Sequence, residues 1–522
     1  MYRSSIKLYS ILFLVITTIV WGSVSAQTNS PELRRQLSDL HNKLQTELAE
    51  KGRIRLIVRS LPTGGDVFES GSLELLPIAS LQKLFLTYAA LNILGAEYKF
   101  PTEFFTDYLL EDLGEKFDPT GGVLKKKSKE VISSLGNLYI RGYGNPGFLH
   151  ENIMQIAREL KARGLDSIQD IVVDDTLFIE PTFPETDSPY KAGASATAVE
   201  FNTYRVDVKG GVLGEKPIVT LSSGVSAKIE NRAKTFSKPG VSLEIIQNPD
   251  NTSFLGKSLG KSALSLEFFK IAIEGRIGIT DLLSEKYLAH PFPSAYFAAS
   301  FKQILSQMGI SIKGDIRLDE VPEGAKMIYT HESKPMHEIL ADLNHYSSNF
   351  IAGQLLYAIG QDTSGRFSRD QGLKNLESEL VKIKNFPEGA KFLDGSGLNK
   401  DNRATLNQIV TLIQKVYSDP LLAPPFLSSL SRYGVSGTLK NRNLMKDVAA
   451  VWTSAYEFDK KRSESIWAKT GTIDGVSGVA GIAPGLSDMI YVFAIVVEGN
   501  IPKEEAIKIE DSLVGLIAGV GK

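Results

Sequence analysis

The sequence contains no cysteine. That excludes a disulfide framework, a thiol nucleophile, a thiolate metal site and a lipid anchor on cysteine. Stability must then come from core size, and 522 residues with 43% hydrophobic content suffice for one large domain or several ordinary ones. The net charge is only −2, so no overall basic field points to nucleic acid. One short basic run, Lys125, Lys126, Lys127 and Lys129, reads as a solvated loop rather than a contact for an anionic polymer. Histidines are few and scattered, at 41, 150, 290, 331, 337 and 345. His337 and His345 fall on one expected helix, but packing or surface roles suit them better than metal binding. There is no internal repeat and no low-complexity tract.

Long apolar runs are missing too, except at the start. Arg3 and Lys7 are followed by an apolar stretch from Leu8 to Trp21, and Val24-Ser25-Ala26 has the small-x-small pattern that signal peptidase needs. Residues 1–26 therefore read as a signal peptide, with the mature chain starting at Gln27 and working in the periplasm or otherwise outside the cytoplasm. An uncleaved anchor is the alternative, although the apolar core is short for a span.

Leu33, Leu37, Leu40, Leu44 and Leu48 recur at helical spacing and predict a helix over 31–50. Arg53–Val58 reads as a strand, Pro62–Gly65 as a turn, with a second strand after it. A mostly apolar helix follows from Ala79 to about Leu94. Residues 101–285 hold many short β-like runs punctuated by Gly, Pro and Asn, and read as one or two inserted modules. Helical patterns return at 296–308, 335–345, 350–360, 368–384 and 403–417. A strand ends at Ala468; further strands follow at 476–483 and 489–497, then a final helix. Two early and three late strands can join in one antiparallel sheet flanked by the terminal helices. The predicted organisation is an α+β domain from 27–100 and 286–522, interrupted by the β-rich insertion 101–285.

Ser80-Leu81-Gln82-Lys83 is an S-x-x-K element. Residues three apart share a helix face, so the Lys83 amine can reach the Ser80 hydroxyl. An unaided serine is a poor nucleophile near neutral pH. A lysine desolvated by an apolar helix can lose enough basicity to serve as its base, and the helix start favours developing negative charge. The same pattern occurs at Ser4/Lys7, Ser188/Lys191 and Ser258/Lys261, but only Ser80/Lys83 opens a long apolar helix. Two further elements add weight. Ser347-Ser348-Asn349 is the sole S-x-N and lies between two helical stretches. Lys469-Thr470-Gly471, extended by Thr472, is the sole K-T-G and is placed at a strand end, where Gly471 admits a close backbone or substrate. The three in this order form the set of penicillin-binding proteins and class A β-lactamases.

The chain resembles the low-molecular-mass class C penicillin-binding proteins, the D-alanyl-D-alanine carboxypeptidase/endopeptidase family, over most of residues 50–500. Family-like segments include Gly136–Leu138 leading to Gly142–Pro146, then Asp170–Phe178, Asp394–Leu398 and Ser436–Leu439. The wide separation of Ser80 from Ser347 leaves room for the insertion that marks the family. It departs from the family pattern at Ser348 (usually Asp), Gly353 (usually Glu) and Asn145 (usually Asp).

The resemblance implies a serine β-lactamase/penicillin-binding (transpeptidase-like) fold and acyl transfer on D-Ala-D-Ala ends or D,D cross-links of peptidoglycan, with β-lactams as covalent inhibitors and no cofactor or metal. Ser80 is the implied nucleophile and Lys83 the first choice of base, a role disputed in this superfamily. Ser347 and Lys469 relay a proton, Asn349 holds the substrate backbone, and Lys469, Thr470 and Thr472 bind the terminal carboxylate. The amides of Ser80 and Thr472 hold the oxyanion. Asp174 has two readings: a contact to an amino group on the stem-peptide side chain, or a turn residue beside Asp175. Rival functions are a β-lactamase or esterase on the same fold, or a non-catalytic peptidoglycan-binding protein. A G-x-S-x-G run at Gly256–Gly260 suggests a different hydrolase but lacks the strand–turn–helix setting.

Overall fold

The computed structural model describes residues 30–61, 63–107, 136–182, 187–225, 227–249, 269–444, 459–486 and 489–520. The expected signal peptide, the basic run 125–129 and the Gly256–Gly260 run lie outside them. The described chain divides into two compact units: one of residues up to Asn92, Leu340–Ser347 and Leu376 onward, the other of Ile93–Ile339 and Ser348–Asn375.

The first unit is built on a six-stranded antiparallel sheet. Its strands are β1 (Gly52–Ser60), β2 (Asp66–Ser70), β3 (Ser431–Arg432), β4 (Trp467–Ile473), β5 (Val476–Pro484) and β6 (Ile490–Gly499), in the order β3-β4-β5-β6-β1-β2. Sequence reasoning found this sheet except for the two-residue β3. One face carries Leu56, Val58, Phe493, Ile495 and Val497 into a core with helix α1 (Ser30–Leu48) and the late helix Lys503–Ile517. The leucines at 33, 37, 40, 44 and 48 are the buried stripe of α1. Residues of the other parity, such as Ile57, Val492, Ala494 and Val496, are equally buried. The helix Leu406–Tyr417 packs against β1 and β6. A sheet covered on both faces explains why β6 reads as a continuous apolar run rather than an alternation. Helix α2 (Lys83–Ile93) is buried almost all round, from Lys83 to Leu91.

Polar groups also enter this core. Arg442 is buried and pairs at 2.8 Å with both Glu510 and Asp511 of the late helix. The Tyr433 hydroxyl donates to Asp511 at 3.1 Å, and Ser477 of β5 donates to Glu510 at 2.6 Å. Burial pushes the Asp511 carboxyl up to about 6 against the opposing pull of Arg442.

The second unit contains a five-stranded mixed sheet in the order Ile316–Leu318, Ile171–Asp174, Leu138–Gly142, Pro101–Thr106, Lys326–Glu332. The helices His150–Ala162 and Pro293–Gln307 pack on it. Smaller sheets gather the strands between Thr203 and Ala289. The unit borders differ from the expected 100/101 and 285/286. Helix Pro293–Gln307 buries Ala295, Phe297, Phe301 and Leu305 in the same core as Ile153, Ile156, Ile171 and Val173, so packing assigns it to the second unit. The His150–Ala162 helix was hidden among β-like runs. Its stripe Ile153, Ile156, Ala157 and Leu160 has helical spacing. Among the described residues no helix is long and apolar enough to cross a membrane.

Replacing Arg442 with Ala strands two buried carboxyl groups. It should cost about 3–5 kcal/mol, read as a fall in the urea midpoint at unchanged slope.

Candidate active site

Ser80, the expected nucleophile, sits at a backbone corner. Ala79 takes a left-handed φ of 47°, a conformation that costs a non-glycine residue of order 1–3 kcal/mol. Ala79–Gln82 then form a 3₁₀ turn that continues into α2. The sequence predicted an α-helix from Ala79. The tighter turn matters, because side chains three apart eclipse in it. The Lys83 Nζ accordingly lies 2.8 Å from the Ser80 Oγ.

Lys83 is fully buried among the apolar side chains of α2. Burial lowers its pKa to about 7, while the charge of Asp394 pulls the other way. The amine also donates to the Ser396 carbonyl at 2.7 Å. That carbonyl is aimed by a turn wound around Asp394, whose carboxylate accepts from the amides of Ser396, Gly397 and Asn399 at 2.6–2.7 Å. The Gln82 side chain donates to the Asp394 carbonyl, tying this turn to that of Ser80.

Ser347 follows helix α3 (Met336–His345) and is itself left-handed, with φ 55°. Its Oγ accepts from the Lys469 Nζ at 2.8 Å, and the same amine donates to the Thr470 carbonyl at 2.6 Å. Lys469 is as buried as Lys83. Burial pushes its pKa well below that of a free lysine, and the nearby charge of Lys83 pushes it further. The K-T-G element was expected at a strand end; instead β4 runs straight through it to Ile473. Pairing of Thr470 with Val479, Gly471 with Gly478 and Thr472 with Ser477 keeps the ladder intact. Gly471 allows β4 to lie against the Ser80 turn. A Cβ there would stand 2.9 Å from the Ile78 carbonyl, 3.0 Å from the Leu81 amide and 3.1 Å from the Ser80 amide. Thr472 is exposed.

Ser80, Lys83, Ser347, Lys469, Thr470, Gly471 and Thr472 thus all belong to the first unit. Asn349 and Asp174 belong to the second. Asn349 opens helix α4 (Asn349–Ala358), and its amide donates to the Tyr190 carbonyl at 3.3 Å. Asp174 does not project as the substrate-contact reading required. It is 1% exposed, pairs with Arg141 at 2.9 Å, and accepts from Thr176 and the Val321 amide. An acid inside a module needs such partners, and its own module supplies them.

The departures from the family pattern have local explanations. Ser348 caps α4 by accepting from the Ile351 amide at 3.2 Å, a task Asp performs equally well. The Asn145 Oδ1 accepts from the Gly147 amide at 2.9 Å, keeping the acceptor that Asp would offer. A Cβ on Gly353 would meet only the Ala194 methyl at 3.8 Å, so packing does not demand glycine there. Sequence reasoning marked the Asp394–Leu398 segment but gave it no task. A backbone carbonyl acting on Lys83 leaves no side-chain signature to read.

Two outcomes follow from this geometry. If neutral Lys83 is the base, kcat/KM and the rate of penicillin acylation should rise with pH through about 7. The neutral fraction falls about tenfold per unit below that value, so the rate at pH 5 should be roughly a hundredfold below the plateau; stopped-flow acylation across pH 5–9 checks it. Gly471→Ala should leave the circular dichroism spectrum unchanged but slow acylation at least about tenfold, because its methyl group presses on the backbone of the Ser80 turn.

Comparison with known proteins agrees with the geometry. The D-Ala-D-Ala carboxypeptidase 3 (S13) family matches residues 36–520. The chain is 28% identical to a D-alanyl-D-alanine carboxypeptidase of Actinomadura sp. (strain R39), covering 95% of this chain and 87% of that protein. Its fold matches penicillin-binding protein 4 of Haemophilus influenzae with a TM-score of 0.71 at 18% identity, over 91% of this chain and 98% of that one. The same protein complexed with a β-lactam matches at a TM-score of 0.66, 18% identity and the same coverage. With a serine–lysine pair at its centre and the match running nearly end to end, the chain belongs to the D-Ala-D-Ala carboxypeptidase 3 (S13) family of serine peptidases.

Proposed function

We propose that this enzyme works outside the cytoplasm on peptidoglycan, hydrolysing the terminal D-Ala-D-Ala bond of stem peptides or the D,D bond of their cross-links. The observation that carries the mechanism is the buried Lys83 amine 2.8 Å from the Ser80 hydroxyl. With Lys83 neutral, that contact runs from the Ser80 O–H to the amine. Ser80 Oγ attacks the carbonyl carbon as its proton passes to Lys83. The oxyanion forms against the amides of Ser80 and Thr472, the preorganised donors that such charge requires.

Collapse of the tetrahedral adduct breaks the C–N bond. The leaving amine takes a proton through Ser347 and Lys469, whose 2.8 Å contact suits a relay. The substrate carboxylate, bound at Thr470 and Thr472, raises the depressed Lys469 pKa and so draws a proton to the relay. Water then releases the acyl group from Ser80. Asn349 holds the peptide backbone. A β-lactam follows the same first step and stays attached, because its leaving group remains tethered.

Labelling with a fluorescent penicillin tests the proposal. The natural chain should carry the adduct on the peptide containing Ser80, and Ser80→Ala, folded by circular dichroism, should carry none. Labelling that survives in Ser80→Ala would overturn the mechanism.

A further inference from the structure

One segment of the first unit approaches both later motifs and has no task in the mechanism so far. It runs from Leu430 to Leu439. Ser431 pairs with Ala468, the residue before Lys469. The chain then turns back at Gly437, whose left-handed φ of 60° suits glycine. A Cβ at this point would lie 2.9 Å from the His345 carbonyl and 2.1 Å from the Ser431 hydroxyl. The turn is therefore seated on the end of α3, just before Ser347. The His345 Nε2, 2.9 Å from the Leu430 carbonyl, closes the contact from the other side.

Thr438 is held at this corner and is exposed. The buried Thr470 hydroxyl donates to the Thr438 Oγ1 at 2.8 Å. The Ser431 hydroxyl stands 3.5 Å from the same oxygen and can serve as donor as well. A hydroxyl has one proton to give. In this arrangement the Thr470 proton is spent on Thr438, and the proton of Thr438 is the one presented outward. A carboxylate only accepts, so the oxygen that receives Thr470 is also the one placed to pass a hydrogen bond on to an anion.

We propose that Thr438 is a substrate-binding residue, which accepts from Thr470 and donates in turn to the free carboxylate at the C-terminus of the D-Ala-D-Ala peptide. The proposal rests on the D,D-peptidase reading above. It makes the Gly437 turn part of specificity, since that turn sets the position of the Thr438 hydroxyl relative to both Ser347 and Thr470.

The test is steady-state hydrolysis of a D-Ala-D-Ala tripeptide and of its C-terminal amide by the natural enzyme, Thr438→Val and Thr438→Ser. Thr438→Val keeps the shape and removes the hydroxyl. It should lower kcat/KM on the acid by about tenfold or more, chiefly through KM. On the amide, whose carbonyl is a weaker acceptor than a carboxylate, the loss should be several-fold smaller, and Thr438→Ser should stay within about threefold of the natural enzyme on both. Unchanged kcat/KM in Thr438→Val overturns the proposal. So does a loss confined to kcat, an equal loss on acid and amide, or a serine variant as poor as the valine one. These results stand apart from failure of the peptidase reading itself, in which the natural enzyme would hydrolyse neither peptide and both readings would fall together.

Discussion

Burying an ammonium group costs several kcal/mol even after the protein relaxes, and this fold buries two amines whose charges sense each other, on Lys83 and Lys469. Much of the site's architecture follows from that constraint. Each amine is met by a backbone carbonyl, Ser396 for Lys83 and Thr470 for Lys469, and by a serine hydroxyl. Carbonyls and hydroxyls satisfy the amines without fixing them in the charged form, as a carboxylate at contact distance would. The desolvation that threatens stability is therefore also what brings the Lys83 amine down to about 7 and makes Lys469 give up its proton far more readily than a free lysine.

Holding such groups in place requires stiff surroundings. The two serine hydroxyls that meet these amines stand at or next to left-handed backbone, Ala79 before Ser80 and Ser347 itself. Such conformations persist only where neighbouring structure over-determines them. Here the Asp394 turn is bonded to Gln82, β4 is pressed against the Ser80 amide through Gly471, and the Gly437 turn is seated on His345. The sheet transmits this rigidity. Ser477, opposite Thr472, is anchored to Glu510, and Glu510 to Arg442.

Much of this was legible in the sequence because it is written in side chains. The S-x-x-K, S-x-N and K-T-G elements marked the candidate reacting groups, and Lys83 reaches Ser80 as their spacing requires. The leucine stripe of α1 and the apolar run of β6 announced the sheet and its cover. What stayed hidden is carried by backbone or by distant partners. The 3₁₀ form of the Ser80 turn, the carbonyl of Ser396 and the continuation of β4 through Gly471 have no residue code of their own. Asp174 looked available because nothing in its neighbourhood in the chain reveals Arg141, which reaches it from another strand. The helix Pro293–Gln307 was assigned to the wrong neighbour because its apolar residues would suit either core.

The order of strands in the main sheet has a consequence for how the enzyme comes into being. β1, near the beginning of the chain, pairs on one side with β2 but on the other with β6, more than four hundred residues later, where Leu56 faces Ile495. Until β6 is available, one edge of β1 stays open. β4 and β5, which carry the third motif and its support, have no route into the sheet except through β6. The second unit has many local pairings of its own and can form while this is pending, since contacts near in sequence close faster than remote ones. Ser80 and Lys469 meet only after almost the whole polypeptide has been made. A partly synthesised chain thus carries Ser80 without the strand that holds the third motif.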